Sequence, residues 1–223
     1  MWLFNSSIGR KVIMSVTGLC LILFLTFHMS MNVVALFSAE GYNMICKLLG
    51  ANWYAVVATL GLAALAVIHI IYAFILTMQN KAARGSERYA VTEKPSKVEW
   101  ASQNMLVLGL IVLIGLVLHL VNFWAKMMLV DLTGVGDLAH STDGAYWIRE
   151  TFSNGAYVVV YLIWIAALWF HLSHGFWSAL QTMGWNGKVW FTRWKIIGIA
   201  YVSLLCAGFA IVVLWFFFNS ICC

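Results

Sequence analysis

Charge is what this sequence has least of. Asp, Glu, Lys and Arg together make up 9% of its 223 residues, against about a quarter in an average soluble domain. That excludes a soluble globular enzyme and a disordered tail, neither of which is so poor in charge. An excess of only +5 is too small for a nucleic-acid footprint, so no nucleic-acid partner is expected. Proline occurs once beside 17 glycines. This composition excludes collagen-like repeats and suits long helices with small-residue contacts better than a strand-rich barrel. The five cysteines, Cys20, Cys46, Cys206, Cys222 and Cys223, form neither a C-x-x-C pair nor a C-x-x-C-H haem-attachment box. They read as packing residues, and the terminal Cys222–Cys223 pair lacks the C-a-a-X lipidation form.

What remains is apolar. Hydrophobic residues reach 63% and the mean hydropathy is +0.90, values of a chain whose main solvent is lipid. Twelve Trp and eight Tyr suit the lipid–water boundary. A transmembrane helix needs about 20 apolar residues, and five segments qualify: Val12–Phe37, Trp53–Met78, Gln103–Trp124, Ala156–Gln181 and Ile196–Phe218. The first runs on without a small-residue cleavage site, so it reads as a span and not as a cleaved signal peptide. The linkers Asn80–Ala101 and Lys126–Asn154 are the long polar stretches. The expected fold is all-α: one domain over 1–223, an integral membrane bundle of five transmembrane helices.

Ten of the thirteen basic residues lie on one side of such a bundle. They are Arg10 and Lys11; Lys81, Arg84, Arg88, Lys94 and Lys97; and Lys188, Arg193 and Lys195. Lys47, Lys126 and Arg149 lie on the other. The positive-inside rule then predicts a cytoplasmic N-terminus and an external C-terminus.

The histidines carry the chemistry. His140 falls in the outer loop with Asp137 and Asp143 and reads as a solvated residue. His28, His69, His119 and His171 fall one on each of the first four spans, with no Asp, Glu, Lys or Arg in those spans. An ionisable side chain at membrane depth is costly and points to function. A single histidine would serve as interhelical glue, but one on each of four successive helices is not explained that way. A proton relay or cation transporter would bring carboxylates with it.

Depth pairs them. At about 1.5 Å per residue, His28 lies about 27 Å from Arg10, and His119 about 24 Å from Gln103, both in the outer half. His69 and His171 lie about 15–18 Å from the inner side. Two neutral imidazoles from facing helices are the axial ligand set of a b-type haem, and a bundle core accommodates it. Zinc or copper would want three or four ligands at one height. The expected cofactors are two haems b in the core of the first four helices: His28 with His119 on the outer iron, and His69 with His171 on the inner. Small neighbours give a flat macrocycle room: Ala66 and Ala73 around His69, Gly115 before His119, Ala167 and Gly175 around His171. His28 has Phe24 and Asn32 instead. His174, one turn beyond His171, reads as a hydrogen-bonding or propionate neighbour. Cytochromes of the bc type carry two histidines about two heptads apart on one helix, and no helix here does.

Ser15-Val16-Thr17-Gly18, His28-Met29-Ser30-Met31-Asn32, His69 followed by Tyr72, and His171-Leu172-Ser173-His174-Gly175-Phe176-Trp177-Ser178 together resemble one family. It is the single-chain di-haem cytochrome b membrane subunit of bacterial succinate:quinone oxidoreductases, which include succinate dehydrogenases and quinol:fumarate reductases. The resemblance covers nearly the whole chain, and the H-x-S-x-G-aromatic stretch is its most specific part; there the ligand is the first histidine. It implies an outer haem on the first and third helices and an inner haem on the second and fourth. It also implies a multi-pass subunit of the bacterial cytoplasmic membrane that binds menaquinone or menaquinol. Its partners would be a flavoprotein with covalent FAD and an iron–sulfur subunit docked on the cytoplasmic face, for which the linker Asn80–Ala101 is a candidate surface. On this reading the chain is no enzyme on its own, and no residue of it is catalytic. The glutamate that some relatives use for quinol oxidation has no matching residue; Glu40, in the first outer loop, lacks the surrounding motif and reads as solvated. Alternative readings are the cytochrome b anchor of a hydrogenase or formate dehydrogenase, a stand-alone transmembrane reductase, and a haem-free transporter.

Overall fold

The computed structural model describes residues 6–84, 99–185 and 187–222. The candidate docking surface in the linker Asn80–Ala101, with Arg88, Lys94 and Lys97, lies largely outside the described residues, as does Cys223. Among the described residues there is no strand, and five helices are long and apolar enough to cross a membrane.

Helix α1 (Ser7–Val34) starts where the Ser6 hydroxyl accepts a hydrogen bond from the Gly9 amide at 2.9 Å, satisfying one of the donors a helix N-terminus leaves open. A short helix α2 (Ala39–Leu48), capped in the same way by Ser38, leads to α3 (Trp53–Arg84). The turn α4 (Trp100–Gln103) precedes α5 (Met105–His119). Helix α7 (Gly144–Phe152) is capped by Asp143 and α8 (Gly155–Thr182) by Asn154; α9 (Trp190–Cys222) closes the chain. With almost no proline to interrupt them, the spans run 28 to 33 residues.

The third span departs from the expected end at Trp124. After His119 the helix widens into a π-helical segment, Leu120–Leu129, and returns to α geometry as α6 (Val130–Thr133). Gly134, with φ +70°, then stops it, a left-handed conformation that glycine adopts without a Cβ clash. Lys126 therefore sits within the helix. Its ammonium lies 4.5 Å from the Trp147 ring centroid, a cation–π contact that keeps the charge at the bundle's end. Much of the expected polar linker Lys126–Asn154 is thus helical.

The bundle is organised around α8. It packs on α9, α1 and α5, and α1 also packs on α9. Their shared core includes Ile22, Tyr161, Leu168, Leu172, Val202 and Leu205. Helix α3 differs: it packs extensively on α1 alone, and the most apolar stretch of α3 buries none of its residues. Isolated contacts such as the Thr59 hydroxyl to Met128 sulfur, 3.6 Å, tie it to the π-helical segment.

Candidate functional site

Helices α1 and α5 both pack on α8, and His28 of α1 meets His119 of α5. Their ring centroids are 5.7 Å apart and their planes stand at 86°. That is the geometry of an edge-to-face ring contact. Aromatic rings from three helices and the π-helical segment enclose the pair. Phe24 stacks on His28 at 5.4 Å, Phe209 lies 6.0 Å from it, and Phe123 and Trp164 lie 5.1 and 5.7 Å from His119. Behind His28, Asn32 donates to the His28 carbonyl at 2.8 Å and accepts from the Tyr42 hydroxyl at 3.1 Å, fixing this end of α1.

His69 on α3 and His171 on α8 make up the other expected pair. His69 rests on α1, where its Nδ1 lies 3.2 Å from the Thr17 hydroxyl. That hydroxyl also donates to the Ile13 carbonyl at 2.9 Å and is placed at 3.1 Å from the Met14 carbonyl. Its one proton is committed to the helix backbone, so toward His69 it accepts. The ring therefore carries its proton on Nδ1 and leaves the Nε2 lone pair free, the tautomer a metal ligand needs. Gly18, one residue on, lets the ring sit against the backbone: a Cβ there would lie 3.2 Å from His69 Cε1. His171 faces Gly109 of α5, where a Cβ would lie 3.6 Å from its Cε1.

Among the described residues three buried ring nitrogens have no hydrogen-bond partner: His119 Nδ1, His171 Nδ1 and the indole Nε1 of Trp124. The two histidines belong to different expected pairs, and an unsatisfied buried polar group costs about 1–3 kcal/mol. The four expected ligands thus sit one on each of α1, α3, α5 and α8, with His28 against His119. Among the described residues no three His, Cys, Asp or Glu side chains gather to hold a bare metal ion.

The small residues beside the histidines divide into two kinds. Gly175 has open space where a Cβ would go, as the room for a flat group requires. Gly115 does not. A Cβ there would lie 2.1 Å from Trp164 Cδ1, because the Trp164 indole fills the notch and donates to the Val112 carbonyl at 3.0 Å. The room expected beside His119 is taken by a tryptophan, since a glycine notch inside a bundle attracts the nearest large ring.

His174 points elsewhere than His171. Its Nδ1 lies 3.3 Å from Glu99 Oε2, and Lys195 Nζ donates to Glu99 Oε1 at 2.7 Å. Lys195 also lies 4.4 Å from the Trp177 ring centroid. Burial pushes the Glu99 carboxyl up, but the hydrogen bonds and charges of Lys195 and His174 outweigh it and hold the group below the ordinary carboxylate value. Glu99 thereby ties the start of the third span to α8 and α9. At the other end of the bundle His140 pairs with Asp137 at 2.8 Å and stacks on Tyr146, whereas Asp143 caps α7. Glu40 is exposed on the first turn of α2.

Sequence reasoning did not foresee Glu99 or the hydrogen bonding of Thr17, Asn122 and Tyr161. Asn122, buried in the π-helical segment, donates to the Tyr161 hydroxyl at 3.2 Å beside His119. Thr17→Val removes the acceptor that fixes the His69 tautomer. It should loosen the inner pair, seen as a broadened or shifted low-spin signal of a bound haem, with the outer pair's signal unchanged. Equal disturbance of both signals would contradict this assignment.

Comparison with protein families, characterised proteins and solved structures finds no match to this chain.

Proposed function

We propose that the chain is a di-haem cytochrome b, the membrane subunit of a succinate dehydrogenase or quinol:fumarate reductase in the bacterial cytoplasmic membrane. The observation that carries this reading is the placement of His28 against His119 at 5.7 Å, within a set of one histidine from each of four successive spans. The motifs Ser15–Gly18 and His171–Ser178 point to that family among membrane cytochromes. His28 and His119 hold the outer iron, His69 and His171 the inner. When bound, the two irons supply one-electron transfer between the two levels. The chain's own work is to position them. Thr17 orients His69, Phe24 and Trp164 wall the outer pair, and Glu99 anchors the third span at the inner end.

Electrons on this reading pass between menaquinone or menaquinol and an iron–sulfur subunit, which exchanges them with a FAD-bearing flavoprotein. The test is purification of the intact complex from its native membrane. The expected result is a reducible b-type spectrum, a flavoprotein and an iron–sulfur protein in the preparation, and quinol-dependent fumarate reduction that the isolated chain lacks. A metal-hydride partner would instead favour the anchor of a hydrogenase or formate dehydrogenase. A b-type spectrum with no partner would favour a stand-alone reductase, and a colourless protein a transporter.

A further inference from the structure

Where α9 ends, two shallow, open surface depressions adjoin and share Trp215 and Asn219. The first, about 540 Å³, is lined by Tyr146, Arg149, Glu150 and Ser153 from the α7 region and by the last turns of α9. The second, about 440 Å³, is a groove along α9 lined by Ile211, Leu214, Phe218 and Cys222. Residues 211, 214, 215, 218 and 222 recur at helical spacing, so they share one face of α9. Ile211, Trp215 and Phe218 are each half exposed or more there. The composite is polar at the end of the bundle and apolar toward its middle, the polarity profile of a lipid in one leaflet.

The polar end has a further property. Arg149 and Glu150 are both exposed, and neither makes an ion pair among the described residues. They present one cation and one anion, side by side, to one depression. A neutral quinone ring would use neither charge, and an anionic lipid would meet Glu150 as a repulsion. A headgroup with a phosphate and a primary ammonium matches both. The geometry points to a bound aminophospholipid, its phosphate on Arg149, its ammonium on Glu150, and an acyl chain in the α9 groove past Trp215 and Phe218. This site is separate from the histidine pairs and does not depend on the haem reading.

The test is native mass spectrometry of the full chain, delipidated in detergent and re-supplied with one palmitoyl-oleoyl lipid at a time. The probes are phosphatidylethanolamine, phosphatidylcholine and phosphatidylglycerol, with menaquinone-4 as a competitor. Wild type should retain phosphatidylethanolamine roughly fivefold better than either other phospholipid, the ratio expected from about 1 kcal/mol for one charge-assisted hydrogen bond to Glu150, which the choline headgroup cannot donate and the glycerol headgroup makes without charge. Glu150→Gln should erase most of that preference, and Arg149→Gln should lower retention of all three phospholipids, while the circular dichroism of both variants, each at an exposed position, stays helical. Phospho-headgroup preference for phosphatidylglycerol, unchanged retention in both variants, or displacement of the lipid by menaquinone-4 would overturn the proposal. Haem content read from the same samples separates its failure from failure of the cytochrome reading.

Discussion

His171→Ala should yield a protein with one b haem where wild type has two, whereas His174→Ala should retain both. The two residues are three apart, about 4.5 Å along the helix and roughly 60° around it, and the structure sends them to different partners. His171 is half-buried, with its Nδ1 buried and unpartnered, and it faces Gly109 of α5. His174 is already engaged by Glu99 at 3.3 Å. Removing His171 deletes half of an axial pair, so the inner haem should be lost outright and not weakened. Removing His174 leaves the Lys195–Glu99 bond of 2.7 Å in place. With Glu99 partly exposed, the stability change should be about 1 kcal/mol or less, with a shifted inner potential at most. Haem content by pyridine haemochrome, set against protein by amino-acid analysis, decides it. Loss of a haem from His174→Ala with both kept in His171→Ala would reverse the assignment.

Gly115→Ala should be among the most damaging single-methyl additions in the chain. Its Cβ would fall 2.1 Å from Trp164 Cδ1 and 2.3 Å from Cγ and Nε1. These are atoms of a rigid ring, not the end of a flexible chain, so the indole must leave its notch. Overpacking of this kind costs about 1–3 kcal/mol. The displaced indole also loses its bond to the Val112 carbonyl, which adds about 1–3 kcal/mol if the donor stays buried. Because Trp164 lies 5.7 Å from His119, the outer haem should suffer first. Thermal unfolding in detergent and the reduced spectrum read both effects. Gly61→Ala is the control: nothing lies within 4 Å of its Cβ position, and removing a helical glycine should be neutral or gain up to about 1 kcal/mol. Equal behaviour of the two variants would contradict the packing described here.

The five spans were legible because their signal is local: windows of apolar residues bounded by charge. The approach of His28 to His119 was legible too, since rise per residue converts sequence position to depth when successive helices alternate in direction. What escaped was set by contacts between distant segments. Lys126 ends the apolar run in the sequence, yet the helix passes through it because Trp147, 21 residues on, receives its charge. Asp131 is accommodated similarly, accepting a hydrogen bond from the Ala51 amide at 3.2 Å. Glu99 looks like an ordinary linker residue until His174 and Lys195, 75 and 96 residues away, are brought to it. Gly115 shows the opposite error: a small residue beside a histidine suggested room for a cofactor, and only the fold reveals that Trp164 occupies it. Thr17 stood in a recognisable motif, but its hydrogen bond to His69 crosses 52 residues.

The most direct test of the two-pair arrangement is an optical redox titration of the purified chain and of four single variants, His28→Ala, His119→Ala, His69→Ala and His171→Ala. Wild type should show two b-type components of different midpoint potential and two haems per chain. His28→Ala and His119→Ala should lose the same component, and His69→Ala and His171→Ala should both lose the other. One haem per chain in fully loaded wild type, or loss of the same component from His28→Ala and His69→Ala, would contradict the arrangement.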